Sequence, residues 1–221
     1  YTEWEVLLVI FYNEKKEESP NDLKFTDSIN DKHQKEIDYN RESGLFKDFD
    51  ISKYKKMNPP KNDSKDTKEE LKTLSSLPEQ KEFVEKYDHI FKSFKNYAEQ
   101  KDHKIPKSQI KEVIKSAAGI IYELKYHFNR PRPQQMAEQH DMKIGGMDLE
   151  SAKSPSYPSG HSCQSKIVGE MLVELTKDLE YRNISEKISI SRNVGRVHFP
   201  SDSKLGEKLG KDLFEFLKNK R

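Results

Sequence analysis

The sequence holds one cysteine, Cys163, which excludes an intramolecular disulfide scaffold and a Cys-rich zinc site. It also lacks any apolar run near the roughly 20 residues that a membrane helix needs. The longest candidate, residues 6–12, is far too short, so no membrane span is expected. Apolar residues are scarce, at 33% against 35% charged, and mean hydropathy is −1.01. That is below the usual globular level, so a core must be concentrated in part of the chain. The length of 221 residues suits one domain, or one domain with an arm.

What is present is unevenly spread. The overall net charge of +2 divides into −4 over residues 1–80 and +6 over residues 81–221. A basic half favours an anionic partner, which leaves nucleic acid, a phosphorylated small molecule or a merely solvated surface open. The chain starts at Tyr1 rather than Met, as expected where an upstream segment was removed or not included; a cleaved signal peptide leaves no trace in such a sequence. The apolar, β-branched segment 4–12 reads as a short strand or a helix packed on the body. Residues 13–66 are polar, with scattered apolar side chains, and read as a mostly irregular arm with short helices that wraps the body, with full disorder as the alternative. The expected division is an arm over residues 1–79 and a helical domain over 80–221.

Helical periodicity dominates from residue 67 on. Phe83, Tyr87, Ile90, Phe91, Phe94 and Tyr97 recur at three and four residues and predict one helix. Pro106 opens a second, with Ile110, Val113, Ile114, Ala117, Ile121, Leu124 and Phe128 on one face, ending before Pro131. Residues 134–158 read as a loop after a short helical turn. Further helices are expected over 160–178, over 185–197 and after Pro200. The fold class expected is all-α, a helical bundle.

Three polar clusters sit at helix ends. The first is Lys125-Tyr126-His127-Phe128-Asn129-Arg130-Pro131-Arg132-Pro133. Cations at a helix C-terminus are favourable in their own right, and Arg130 reads equally as a pocket-mouth residue or a helix C-cap. The second, Pro158-Ser159-Gly160-His161, reads as an N-cap or as an anion cradle, because a helix N-terminus offers free N–H groups. The third runs from Ser191 and Arg192 through His198 to Asp202. Taken singly it is a capping Asp beside a surface His, or a carboxylate that orients an imidazole. Together the clusters supply three cations, a backbone anion site, two histidines and an orienting acid, the parts that phosphoryl transfer uses.

In residue type, order and spacing, these clusters resemble the three-part signature of the type 2 phosphatidic acid phosphatase superfamily, which includes the vanadium haloperoxidases. The resemblance covers about residues 80–221 and is nearest to the soluble class A non-specific acid phosphatases. It implies a helical bundle of the acid phosphatase and haloperoxidase type and a metal-independent phosphomonoesterase. It implies His198 as nucleophile forming a phosphohistidine, Asp202 as its orienting group and His161 as general acid. It further implies Lys125, Arg132, Arg192, Ser159 and Gly160 as phosphate contacts.

No metal or other cofactor is expected, vanadate entering only if the chain is a haloperoxidase. That alternative stays beside a pyrophosphate or lipid-phosphate phosphatase acting from the soluble side. The partner expected is a phosphorylated small molecule, not nucleic acid, and self-association is left open. Residues 134–157 are the expected lid. The natural substrate and the compartment are not legible, beyond an expectation of a soluble protein.

Overall fold

The computed structural model describes residues 20–220, and all regular structure among them is helical. The helices are α1 (Asp31–Ser43), α2 (Lys65–Ser76), α3 (Lys81–Tyr87), α4 (Ile90–Gln100), α5 (Lys107–Phe128), α6 (Pro133–Gln139), α7 (Gly160–Thr176), α8 (Glu180–Val194) and α9 (Pro200–Asn219). Single 3-10 turns lie at Pro20–Asp22, Tyr54–Lys56 and Glu150–Ala152. The apolar segment 4–12 lies outside the described residues. No described helix is long and apolar enough to cross a membrane.

Helix α5 carries the expected stripe. Ile110, Val113, Ala117, Ile121 and Leu124, spaced at three and four residues, are buried. The helix stops at Asn129, which takes the left-handed conformation that Asn tolerates, with φ of 50°. Pro131 and Pro133 then hold the chain out of helix long enough to aim Arg130 and Arg132 inward before α6 begins.

Helices α7 and α9 pack closely because Gly206 and Gly210 lie one turn apart on the facing side of α9. A Cβ at Gly206 would collide with the Ser159 carbonyl, and one at Gly210 with the Cys163 carbonyl. Gly206→Ala is therefore expected to cost about 1–3 kcal/mol by overpacking, read by urea denaturation. A variant as stable as the parent would mean that the two backbones can separate freely.

The stripe from Phe83 to Tyr97 is not one helix. The chain breaks at Asp88 and His89, between α3 and α4. Tyr87, Ile90 and Phe94 still enter one core with Val168, Leu172, Tyr181 and Ile188, so apolar spacing alone does not reveal the interruption.

The described part of this segment, residues 20–79, is more regular than its sequence suggests, and it packs against the helices that follow. Asn30 caps α1 by accepting the Lys32 N–H at 2.9 Å. His33 on α1 stacks on Tyr122 of α5, with ring centroids 3.9 Å apart, and its Nδ1 lies 2.7 Å from the Tyr126 hydroxyl. Phe46 and Tyr54 are buried in the core that α5, α7 and α9 share. Leu71 and Leu74 of α2 join Met136, Ala137, Ile144 and Phe199 in another. Ordering this arm thus buries apolar surface in two cores.

Candidate active site

The three motifs meet where α5 ends and α7 and α9 begin. Asp202 is the third residue of α9 and accepts the Phe199 N–H at 2.8 Å, which closes the start of that helix. Its carboxylate is fully buried. It also accepts from Arg130 Nη1 at 2.7 Å, and it lies 3.1 Å from His198 Nδ1. Burial alone would raise its pKa, but Arg130, the His198 hydrogen bond and the Phe199 N–H hold it well below the usual carboxylate range.

His198 is 2% exposed. It lies in the tight turn between α8 and α9, which Arg196 permits by adopting a φ of 56°. On the other side of the imidazole, Nε2 lies 3.0 Å from Arg132 Nη1. A guanidinium only donates and a carboxylate only accepts. The partners therefore assign the tautomer: Nδ1 carries hydrogen toward Asp202, and Nε2 keeps its lone pair. Burial, then Arg132 and Lys125, push the His198 pKa well below that of a free histidine. The ring is neutral, with a nucleophilic nitrogen aimed at a cation.

Two of the cations have no carboxylate partner among the described residues. Lys125, 3% exposed, donates to the Pro155 carbonyl and, at 3.4 Å, to that of Ser156. Arg132 gives Nε to the Ser154 carbonyl and Nη1 to the Val197 carbonyl, each at 2.7 Å. Burial and the mutual repulsion of the cations push the Lys125 pKa well down, and the Arg132 pKa down to about 9. All the carbonyls except that of Val197 belong to the 134–157 segment, which therefore covers the cations.

Arg192 is arranged differently. It lies fully buried in the last turn of α8 and donates Nη1 to Asp88 Oδ1 at 2.6 Å. Its Nη2 donates to Ser151 Oγ at 2.9 Å, and Ser151 in turn donates to Asp88 at 2.8 Å. Asp88 is the break between α3 and α4. Its main-chain carbonyl accepts from His161 Nε2 at 2.7 Å. Burial first, then Arg192, hold the His161 pKa down to about 3.

Ser159 caps α7, accepting the Ser162 N–H at 3.3 Å, and is itself buried. Gly160 follows in the first turn, where N–H groups lack intrahelical acceptors. A Cβ there would meet nothing nearer than Ile121 Cγ2 at 3.5 Å, an ordinary contact. Protein packing does not demand glycine at this position. Its absent side chain instead leaves the helix N-terminus open to close approach.

All eight residues singled out from the sequence thus converge. Two others escaped it, and the role of a third was misread. Asp88 had one signal, a charged residue interrupting an apolar stripe. Glu70 had none: it accepts from Arg130 Nη2 at 3.0 Å and from the Ser201 N–H at 2.6 Å. Arg130 is neither a pocket-mouth residue nor a cap. It is buried over the Phe199 ring, 3.9 Å from its centroid, and ties Asp202 to Glu70.

Residues 113–210 match the model of the PAP2 superfamily. Among solved structures, a bacterial vanadium-dependent iodoperoxidase aligns with a TM-score of 0.63 at 19% identity, over 78% of this chain and 54% of that one. The chain spans about half of that protein's length, and the likeness concerns the fold. None of the curated proteins matches. The chain thus carries a segment similar to the PAP2 superfamily within a helical fold that this iodoperoxidase shares.

Proposed function

We propose that the chain is a metal-independent phosphatase that hydrolyses phosphate monoesters through a phosphohistidine on His198. One observation carries this reading. Lys125 and Arg132 are buried cations satisfied only by neutral groups, beside a histidine whose lone pair faces them. Buried charge is costly unless paired, and a phosphate dianion supplies the missing charge. Lys125, Arg132 and Arg192 hold its oxygens, with the Gly160 N–H and Ser159 at the start of α7.

In the first step the His198 Nε2 lone pair forms a bond to phosphorus as the ester P–O bond breaks. The leaving oxygen takes a proton from His161. His161 Nε2 donates to the Asp88 carbonyl, so the transferred proton is carried at Nδ1. In the second step water attacks phosphorus and gives its proton back to His161, and the P–N bond breaks. Ester and water become alcohol and inorganic phosphate. Asp202 stabilises the charge that His198 develops without leaving the carboxylate form. A bound dianion offsets the repulsion of His161 by Arg192 and Lys125, which raises its pKa and lets it enter the cycle protonated.

The test is release of p-nitrophenol from p-nitrophenyl phosphate in the presence of EDTA, with inhibition by vanadate and a bell-shaped pH dependence. No turnover from acid to neutral pH would sink the proposal.

The iodoperoxidase likeness favours a second reading, in which the same residues hold vanadate. The donor set of three cations, a helix N-terminus and a neutral imidazole suits an oxyanion of that kind. Bound vanadate would supply peroxide activation. Peroxide-dependent halogenation of monochlorodimedone by vanadate-loaded protein, with no ester hydrolysis, would select it.

A further inference from the structure

One carboxylate beside the site has no part in the proposed chemistry, and it comes from the arm. Glu70 lies on α2, outside residues 113–210. Leu71 and Leu74 seat that helix against Phe199, the residue after His198. Glu70 is thereby held at the start of α9, where its side chain is 14% exposed. Its Oε1 accepts the Ser201 N–H at 2.6 Å. That N–H is in the first turn of α9, where intrahelical acceptors are missing, and the Phe199 side chain does not cap it. Oε2 accepts from Arg130 Nη2 and from Ser201 Oγ, each at 3.0 Å.

Arg130 connects this anchored carboxylate to the nucleophile. Its Nη1 donates to Asp202 Oδ1 at 2.7 Å, and Asp202 Oδ2 lies 3.1 Å from His198 Nδ1. Glu70 thus stands two hydrogen bonds behind Asp202. Among the described residues, Glu70 and Arg130 form no further ion pair, and Asp202 has only its contact with His198 besides. One guanidinium therefore serves two carboxylates, and the cluster keeps one net negative charge. With Glu70 neutral, Arg130 and Asp202 would close into a neutral pair.

The difference matters at the moment of attack. As Nε2 bonds to phosphorus, the ring keeps its Nδ1 hydrogen and gains positive charge. Arg132 and Lys125 oppose that charge. A net negative cluster on the Nδ1 side offsets them better than a neutral pair does, and screening is slight at buried groups.

We infer that Glu70 draws on the charge of Arg130, leaves Asp202 with uncompensated negative charge toward His198, and so promotes formation of the phosphohistidine. Glu70 is a positioning residue, acting through Arg130 and Asp202. The inference rests on the phosphatase reading above, and it gives a helix of the arm a part in the reaction.

The test compares the parent, Glu70→Gln and Glu70→Asp. Glutamine keeps the shape of the side chain and removes its charge. Aspartate keeps the charge and shortens the reach. Each protein is assayed for kcat/KM with p-nitrophenyl phosphate, and for inorganic phosphate affinity by calorimetry. Glu70→Gln should lose roughly ten-fold in kcat/KM, the scale that Coulomb's law gives for a unit charge two side chains away in a partly buried site. It should bind phosphate as tightly as the parent or more tightly, since a negative charge near the anion has been removed. Glu70→Asp should stay within about three-fold of the parent in kcat/KM, because charge acts at a distance where contacts do not.

Parent-like kcat/KM in Glu70→Gln would overturn the inference. So would an active Glu70→Gln beside an impaired Glu70→Asp, because contact geometry and not charge would then be the cause. Equal losses of kcat/KM and phosphate affinity in Glu70→Gln would mark a loosened site, and would overturn it too. If Glu70→Gln does not fold, Glu70→Asp decides alone: near-parent kcat/KM supports the inference, and a ten-fold loss overturns it. No turnover by the parent would instead remove the phosphatase reading, and the inference with it.

Discussion

His198→Ala is expected to lower turnover of p-nitrophenyl phosphate by at least about a thousand-fold, in line with the loss of a covalent nucleophile. Inorganic phosphate should still bind within about ten-fold of the parent affinity, the scale of one charged hydrogen bond. The two effects separate because His198 has few structural duties. Without the ring, Asp202 keeps Arg130 at 2.7 Å and the Phe199 N–H at 2.8 Å. Arg132 keeps the Ser154 and Val197 carbonyls. The cations that attract the anion therefore stay where they are. Steady-state kinetics and calorimetry on the same preparation check both halves. Parent-like turnover would remove His198 as nucleophile. Joint loss of turnover and binding would mean that the ring holds the site together instead.

Arg130→Met is expected to cost about 3–5 kcal/mol of folding stability, the penalty for breaking a buried ion pair from one side. Arg130 is 2% exposed and bonds at once to Asp202, Ser201 and Glu70. Its removal strands a fully buried carboxylate. The sign of the pH dependence follows. In the parent, Asp202 has a depressed pKa, so it contributes stability above the ordinary value of 3.8 and loses it as pH falls through the lowered one. In the variant the main lowering influence is gone and burial raises the pKa instead. The penalty is then largest at neutral pH and shrinks in acid as Asp202 takes a proton. Urea denaturation at pH 7 and at about pH 5 reads both. A loss below about 1 kcal/mol would show that Asp202 finds other compensation.

The sequence made the motif residues and the long helices readable for a physical reason. Helices α5, α7 and α9 bury continuous stripes, and a stripe is a local signal. The residues around each motif also report their own helix ends: Asn129 before two prolines, Ser159 before Gly160, and Pro200 opening α9. What stayed hidden depends on distant partners. Arg130 looks like a charge at a helix end until Glu70 and Asp202, 60 and 72 residues away, are brought to it. The arm looked irregular because Ile37, Phe46, Tyr54, Leu71 and Leu74 bury one by one against other helices, so they form no long stripe of their own. The interruption at Asp88 was masked because the apolar spacing of Tyr87 and Ile90 runs across it.

That interruption, and the helix carrying Glu70, also decide where the chain can be cut. Residues 113–210 contain every motif residue and would be the natural choice for an excised fragment. Such a fragment would leave behind Asp88, the counterion of Arg192, and Glu70, the second anchor of Arg130. It would hold the complete signature with two of its arginines missing a counterion. The smallest piece that keeps both pairs begins upstream of α2, so the unit that holds the buried arginines in place is longer than residues 113–210.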